Sequence, residues 1–336
     1  MVHGKKGATY YHHIQIGIEN AYTLLATSLK TRYPLAPMSL LRPAKFFLTL
    51  SAALSCMGLV LFVVPGPVLS IDFTGGTLIE LALPDEATKE ALHSALGAFP
   101  GETPIGNTAI SRTKDSSFLV RMRDLSNEEH LTLVGHLENE FGSITERQFT
   151  TIGPTVGATL KKRAVWALVI ASIAIVCYIA FAFRKIPRKL SPWRFGIVAV
   201  ITLLHDILIT IGVFVVISHV TSFEFDTLFV TALLTILGYS VNDTIVIFDR
   251  IRDNLANQER GEEFAVIAER SLHQSIPRSI NTSVSTLIML FSLFFLGSES
   301  VRWFVLTLIV GAIIGTYSSI FLATPLLVHW RTKPQK

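Results

Sequence analysis

The chain has 336 residues, of which half are hydrophobic and only 16% are charged, and its mean hydropathy is +0.50. Soluble domains carry about 25% charged residues, so this composition excludes an ordinary soluble protein and predicts a membrane-embedded one. The formal net charge is +4 without any nucleic-acid-binding motif, so we interpret the basic residues as signals of topology and of contact with membrane lipids, with no nucleic-acid partner.

Six apolar stretches organise the chain. A hydrocarbon core requires about 20 apolar residues of helix, and such stretches lie at 46–64, 164–183, 195–218, 228–248, 280–296 and 303–328. The first is too long for the apolar region of a cleaved signal peptide, so we predict that it is retained. The resulting division is an N-terminal arm at 1–45, a first span at 46–66, an exported domain at 67–163, spans two to six at 164–330 with a helical connector at 249–277 lying near the membrane, and a tail at 331–336.

Basic residues between the spans predict the orientation. Lys and Arg are concentrated in the arm, in the tail, between spans two and three, and between spans four and five. The positive-inside rule therefore places both termini in the cytoplasm. Lys161, Lys162 and Arg163 go against this rule, but they end a long exported segment, where the rule is weaker. For the arm, a surface helix at 19–29 and a disordered terminus are equally good interpretations.

The insert after span one is predicted to be a small α+β domain. Its pattern indicates a strand at 71–83, a helix at 85–99, strands at 108–113 and 118–123, a helix from 126 to about 141, and a strand at 144–151. This β-α-β-β-α-β order is ferredoxin-like. Ser126 and Glu129 indicate a capping box at the start of the second helix. The predicted apolar face of that helix consists of Leu131, Val134, Leu137 and Phe141.

The insert shows no sign of catalysis. Gly75 and Gly76 are not followed by Gly-Lys-Ser/Thr, so we predict a tight turn or a close backbone approach rather than a phosphate loop. No nucleophile, base and orienting acid occur together. Cys56 and Cys177 lie in predicted spans without metal-ligand spacing, so we expect neither a metal site nor a cofactor, and no enzyme.

Asp243 points most directly to function, because it lies inside the apolar stretch of span four. A carboxylate at bilayer depth costs roughly 2.5–3.5 kcal/mol on insertion scales, and one that is kept there usually has a task. The alternative is that it only joins helices by hydrogen bonding. At 1.5 Å per residue it lies about 8 Å inside the cytoplasmic end of its span, where Arg278 of span five could reach it. Arg278 as a surface anchor is the other interpretation.

Further polar residues lie at membrane depth. His205 and Asp206 are adjacent in span three and point about 100° apart on a helix, so they are not expected to face one partner together. Which of them belongs to a proton relay stays open. Asn281, one turn deeper than Arg278, and Asn242, next to Asp243, complete the candidate proton-coupling set.

Three motifs of the chain resemble those of the SecF family, the small subunit of the bacterial SecD-SecF protein-export complex. They are Ile71-Asp72-Phe73-Thr74-Gly75-Gly76-Thr77 after span one, His205-Asp206 in span three, and the run from Gly238 through Asn242-Asp243 to Asp249-Arg250 in span four. The resemblance covers roughly residues 43–330. Ser70 departs from the glycine that is common in the family before Ile71, which bears only on the local turn.

The resemblance implies a member of the resistance-nodulation-division superfamily in the inner membrane, with six spans and one exported domain. It implies a proton-driven role in moving translocating polypeptides outward, with Asp243 as the proton-carrying carboxylate and Arg278 as its partner. The implied partners are a SecD-like subunit, the Sec channel (SecY, SecE and SecG), YajC and unfolded exported polypeptides. Two other functions stay open: half of a proton-coupled exporter of small molecules or lipids, and a scaffold that holds a channel partner.

Overall fold

The computed structural model describes residues 40–84, 86–101, 103–106, 108–113, 116–184, 192–258 and 261–332. The expectations for the arm before residue 40 and for the tail after residue 332 lie outside these residues. In chain order the elements are α1 (Ala44–Val63), α2 (Ile71–Thr74), β1 (Gly76–Ala82), α3 (Lys89–Gly97), β2 (Ala109–Arg112), β3 (Phe118–Met122), α4 (Asn127–Phe141), β4 (Thr145–Ile152), α5 (Pro154–Ala182), α6 (Pro192–Val220), α7 (Thr227–Ala256), α8 (Phe264–Leu296), a 3-10 turn (Glu299–Val301), α9 (Arg302–Ser318), a π-helical segment (Ser319–Ala323) and α10 (Thr324–Thr332).

Six helical spans occur among the described residues, as predicted: α1, α5, α6, α7, α8 and the continuous run from the 3-10 turn to α10. Half or more of the apolar window is buried in α6, α7 and the sixth span (50%, 50% and 56%), against 11%, 6% and 11% in α1, α5 and α8. Helices α6 and α7 and the sixth span therefore form the centre of the bundle. An aromatic cluster packs one end of these helices together and consists of Phe214, Phe223, Phe225, Phe229 and Trp303.

The connector between spans four and five consists of helix ends. Helix α7 continues to Ala256 and α8 begins at Phe264, so a short loop joins two long helices. Hydrogen bonds hold the two extensions together, including Arg250 Nε to Gln274 (2.8 Å) and Asn254 Nδ2 to Ser271 Oγ (2.8 Å). The sequence places the start of the fifth span near residue 280 because its apolar run begins there, but buried packing against α7 keeps the chain helical sixteen residues earlier.

The domain between α1 and α5, which the sequence analysis predicts to be exported, has the predicted β-α-β-β-α-β order. Its antiparallel sheet has the strand order β2-β3-β1-β4, and α3 and α4 cover one face. The first predicted strand is too long, because Ile71–Thr74 is a helical turn that Ser70 caps by accepting a hydrogen bond from the Asp72 N–H (3.2 Å). Serine is a preferred residue at this helix-capping position.

The predicted capping box of α4 is present in full. Ser126 Oγ accepts a hydrogen bond from the Glu129 N–H, and the Glu129 carboxylate accepts one from the Ser126 N–H. The Arg123 guanidinium, followed by the Ser126 N–H, lowers the pKa of Glu129 to about 2. The predicted apolar face is confirmed at Leu137, which is buried, but it is wrong at Leu131, which is exposed, because α4 turns Leu133 into the core instead.

Candidate functional site

Asp243 lies on the inward face of α7 and is only 3% exposed. Ser240, Thr244 and Ile247 are buried on the same helix, and their spacing places them on one stripe with Asp243. This local pattern explains why the carboxylate is turned into the bundle rather than toward lipid. Its Oδ2 atom has no hydrogen-bond partner among the described residues.

Hydroxyl groups of a neighbouring helix lie close to the Asp243 carboxylate. Ser279 and Ser283 of α8 lie beside it, and both are buried. Ser283 Oγ accepts a hydrogen bond from Tyr239 (3.1 Å) and pairs with Thr316 Oγ1 of α9 (2.7 Å). Hydroxyl groups of α7, α8 and α9 are therefore joined by hydrogen bonds beside Asp243.

Asp206 of α6 is the centre of a second polar cluster and is fully buried. Its Oδ2 atom accepts hydrogen bonds from Ser240 of α7 (2.5 Å) and Ser318 of α9 (2.9 Å), and its Oδ1 atom lies 2.8 Å from His205 Nδ1. One carboxylate thus joins three central helices. Because Ser240 is one turn from Asp243, the two clusters share a helix face.

His205 and Asp206 are both buried, and their side chains contact each other through His205 Nδ1 and Asp206 Oδ1. The His205 ring lies 6.2 Å from the Tyr317 ring and is 4% exposed. Its Nε2 atom has no hydrogen-bond partner in the part of the chain that the structure describes. His205 therefore carries a buried ring nitrogen that has no partner among the described residues.

Glycines allow the sixth span to approach α7 closely. A Cβ atom at Gly311 would contact the Ile236 side chain, and one at Gly315 would lie 2.9 Å from Ser240 Cβ. The π-helical segment Ser319–Ala323 follows at once, and Ser319 Oγ lies 2.9 Å from Thr244 Oγ1. π-helical segments are frequent at functional sites. Here the segment lies beside the residue that follows Asp243.

The other sequence candidates lie outside this buried region. The Arg278 side chain is exposed, and no salt bridge joins it to Asp243 among the described residues, although its charge acts on the carboxylate from a distance. Asn242 and Asn281 are exposed. The structure therefore gathers Asp243, Asp206 and His205 but leaves both asparagines out and Arg278 at the edge.

The residues that sequence reasoning missed are all hydroxyl-bearing: Ser240, Thr244, Ser279, Ser283, Thr316, Ser318 and Ser319. A signal for some of them exists. Ser240 precedes Asp243 by three residues, and Ser279 precedes Ser283 by four, so each pair occupies one helical stripe. The partners from the sixth span carry no such signal, because nothing local to them relates to Asp206.

The glycine motif lies at the end of the bundle where the α+β domain is attached. Gly75 and Gly76 have φ values of 75° and 123°. A Cβ atom at Gly75 would lie 2.8 Å from Pro154 Cα, and one at Gly76 would lie 2.6 Å from the Met122 carbonyl oxygen. The prediction of a close backbone approach is confirmed. Phe73 is half-buried beside them.

Asp249 and Arg250, the other motif residues, lie in the α7 extension and are exposed. Asp249 pairs with Arg252 (2.6 Å), and Arg250 pairs with Asp253 (3.2 Å). Among the described residues, no three His, Cys, Asp or Glu side chains come together as a metal site. The polar chemistry of the bundle therefore consists of carboxylate, imidazole and hydroxyl groups.

A bundle of six spans that buries two carboxylates among hydroxyls, with a ferredoxin-like domain between its first two helices, defines a multi-pass membrane transport protein. Residues 134–333 match the C-terminal part of the protein export membrane proteins SecD and SecF, and residues 60–83 match the SecD/SecF GG motif. The chain belongs to the SecD/SecF protein-export family, as a SecF-type subunit of the export machinery and not an enzyme. Membership implies a SecD partner.

Individual relatives support this assignment. The chain is 39% identical to protein translocase subunit SecF of Thermobaculum terrenum over 85% of its length and 92% of the relative, and 34% identical to the subunit of Anaerolinea thermophila over 88% and 94%. It is similar to the crystal structure of SecDF, a translocon-associated membrane protein from Thermus thermophilus, with a TM-score of 0.75 and 33% identity. That match covers 87% of this chain but 38% of the SecDF chain.

Proposed function

We propose that this subunit couples proton movement to the export of polypeptides, and that Asp243 carries the proton. The observation that supports this role is a buried carboxylate with one unpartnered oxygen atom, Oδ2. A carboxyl group at this depth can take up and release a proton only where neighbours can pass it on. Hydroxyl groups can pass a proton to and from the carboxyl group, since each can both donate and accept a hydrogen bond. Ser279, Ser283 and Tyr239 supply them.

Asp206 has a different role in this proposal. Three hydrogen-bond partners already occupy its two oxygen atoms, so it acts as a fixed acceptor that holds α6, α7 and α9 in register around Asp243. His205 orients this acceptor through Nδ1, and its free Nε2 atom is the place where the network could be extended. We therefore assign the moving proton to Asp243 and the supporting role to the His205-Asp206 pair.

Arg278 is proposed to approach Asp243 in another state of the cycle. Its exposed side chain lies on the same helix as Ser279 and Ser283, so a modest rotation of α8 would change the distance between the two charges. Asn281 and Asn242 lie on exposed faces and have no assigned role. If Arg278 only anchors α8 at the membrane surface, its replacement will leave proton coupling intact.

The proposed setting follows from charge distribution and family membership. Both termini lie in the cytoplasm and the protein in the inner membrane, in contact with lipids, a SecD-like subunit, the Sec channel (SecY, SecE and SecG) and YajC. An exporter of small molecules or lipids is less well supported, because the matched relatives are translocase subunits. If the protein were only a static scaffold, Asp243 could be replaced without loss of gradient-dependent export.

The exported domain is proposed to contact the translocating polypeptide through the uncovered face of its sheet. Two cavities, of about 520 and 220 Å³, lie between this face and the outer ends of the spans. Ser111, Leu119 and Ser222 line both. Their walls mix apolar and hydroxyl side chains with charges of both signs, Glu80 and Arg302 among them, which suits an extended chain of varied sequence.

The test of the proposed function is Asp243→Asn. Asparagine keeps the volume and hydrogen-bonding capacity but cannot exchange a proton. We expect the variant to insert and to bind its SecD partner normally, and to lose release of an exported protein that depends on the proton gradient. Asn242→Ala, an exposed neighbour on the same helix, is the matched control. Wild-type release by Asp243→Asn would rule out the proton role and favour the scaffold.

A further inference from the structure

The glycine-motif segment, residues 68–76, is hydrogen-bonded to the loop before α7 at the end of the bundle where the α+β domain is attached. The Ser70 N–H donates to the Phe225 carbonyl (2.9 Å), and the Phe225 N–H donates to the Val68 carbonyl (2.8 Å). These bonds make a parallel bridge between Leu69 and Phe225. Two chain segments separated by more than 150 residues are thereby held at strand spacing.

Asp72 carries this contact onto the first residue of α7. Its Oδ2 atom accepts a hydrogen bond from the Thr227 N–H at 2.9 Å. The first N–H groups of a helix have no partner within the helix, and the helix dipole favours a negative charge at that end. The carboxylate therefore satisfies a donor of α7 from outside the helix. Asp226 caps another of these donors by accepting a hydrogen bond from the Phe229 N–H (2.7 Å).

The other end of the same segment is fixed to the exported domain. Gly75 lies against Pro154 at the start of α5, and a Cβ atom at Gly157 would lie 2.9 Å from the Gly75 nitrogen. Gly76 begins β1 and lies against Met122 of β3. A segment with no space for side chains on either side cannot shift independently of its neighbours. It must move together with the sheet and the start of α5.

A second connection runs beside the first. Arg121 of β3 forms an ion pair with Glu224, three residues before α7 begins. The sheet thus contacts the entry to α7 through a side-chain pair as well as through the glycine-motif segment. From Thr227 to Asp243 the helix is continuous, a rise of about 24 Å at 1.5 Å per residue.

We propose that Asp72 is a positioning residue that couples α7 to the exported domain. Movement of the helix that carries Asp243 reaches the sheet through the Asp72 hydrogen bond and the Leu69–Phe225 bridge. Glycine is required at positions 75 and 76 because the backbone there is in direct contact with the backbone of Pro154 and Met122, which leaves no room for a side chain. This inference rests on the proposed proton function of Asp243 and adds the route by which that event acts on the exported side.

The first test uses the complex with its SecD partner, reconstituted in vesicles with the Sec channel. Asp72→Ala should reduce gradient-dependent export on the order of tenfold, while Asp72→Asn retains most of it, since the amide oxygen still accepts the Thr227 N–H. Proton uptake by the complex should persist in Asp72→Ala and be lost in Asp243→Asn. Co-purification with SecD shows that each variant is assembled, and Asp124→Asn, an exposed carboxylate on the exported domain, is the control.

The outcomes separate the two proposals. Normal export by Asp72→Ala, with export lost in Asp243→Asn, overturns the coupling role and leaves the proton role standing. Normal export by Asp243→Asn overturns the proton role whatever Asp72 does. Loss of both export and proton uptake in Asp72→Ala also overturns the coupling role, because the defect would then lie in the proton site itself.

The second test replaces the Asp72 hydrogen bond to Thr227 with a disulfide across the Leu69–Phe225 bridge. With Cys56 and Cys177 replaced by serine, Leu69→Cys and Phe225→Cys are placed in the Asp72→Ala background, where strand spacing lies within the range that a disulfide spans. Oxidation should restore at least half of the gradient-dependent export, and reduction should remove it again. A formed disulfide in an assembled complex without recovery would overturn the proposal.

Discussion

The Asp206 cluster allows a stability prediction in which the charge cancels. Asp206→Asn and Asp206→Ala both remove the buried carboxylate, so the difference between them reflects the lost hydrogen bonds together with the packing of the truncated side chain. In the Ala variant Ser318 keeps a partner, because its hydroxyl also donates to the Gly315 carbonyl (3.1 Å). Ser240 Oγ and His205 Nδ1 lose theirs. Asparagine can serve both, with its oxygen toward the serine and its NH₂ group toward an unprotonated Nδ1.

The size of the difference follows from these two lost contacts. Hydrogen bonds between membrane helices contribute about 0.6 kcal/mol on average and up to about 1.7 kcal/mol. We therefore expect Asp206→Ala to be about 1–3 kcal/mol less stable than Asp206→Asn. The measurement is unfolding of the detergent-purified complex by denaturant. Gradient-dependent export should survive in part in Asp206→Asn, in contrast to Asp243→Asn.

The matched control is Thr202→Val, one turn from Asp206 on α6. Thr202 is equally buried, but within the described part of the chain its hydroxyl donates only to the Val198 carbonyl of its own helix (2.9 Å). This substitution should change the free energy of unfolding by less than the Asn-to-Ala difference at position 206. Equal stability of the Ala and Asn variants would refute the view that Asp206 holds three helices together.

Three further predictions concern other parts of the molecule. Arg278→Ala should slow gradient-dependent export more than Arg278→Lys, and adding it to Asp243→Asn should cause no further loss; simple addition of the two losses would make Arg278 an anchor. The folded-state pKa of Glu129 is lowered to about 2, so its stabilising effect is present above the unfolded-state pKa of about 4.3 and is lost as pH falls toward 2. Glu129→Gln should therefore lower the melting temperature of isolated residues 69–153 at pH 7. At pH 2 the variant and wild type should melt at the same temperature, as measured by circular dichroism. A photo-crosslinker at Leu119 should capture a stalled translocating polypeptide and one at the exposed His93 should not; adducts at His93 alone would place the polypeptide on the helical face.

Much of the architecture is readable from the sequence because it depends on local properties. A run of apolar residues long enough to span a bilayer is helical wherever it occurs, so six spans were predictable. The same holds for the Ser126–Glu129 capping box, which needs only four consecutive positions, and for the close approach at Gly75 and Gly76. The importance of Asp243 also follows from the sequence, because its cost at that depth is independent of its neighbours.

Helix rotation and close approach were decided only by the tertiary structure. Asp206 contacts serines that are 34 and 112 positions away in the chain, and their choice depends on how closely the glycines of α9 let that helix approach α7. The same physics explains why Leu133 rather than Leu131 enters the core and why Arg278 lies apart from Asp243. The hydropathy of the sequence predicts that a side chain can be buried, whereas the packing of the helices determines which atoms it contacts.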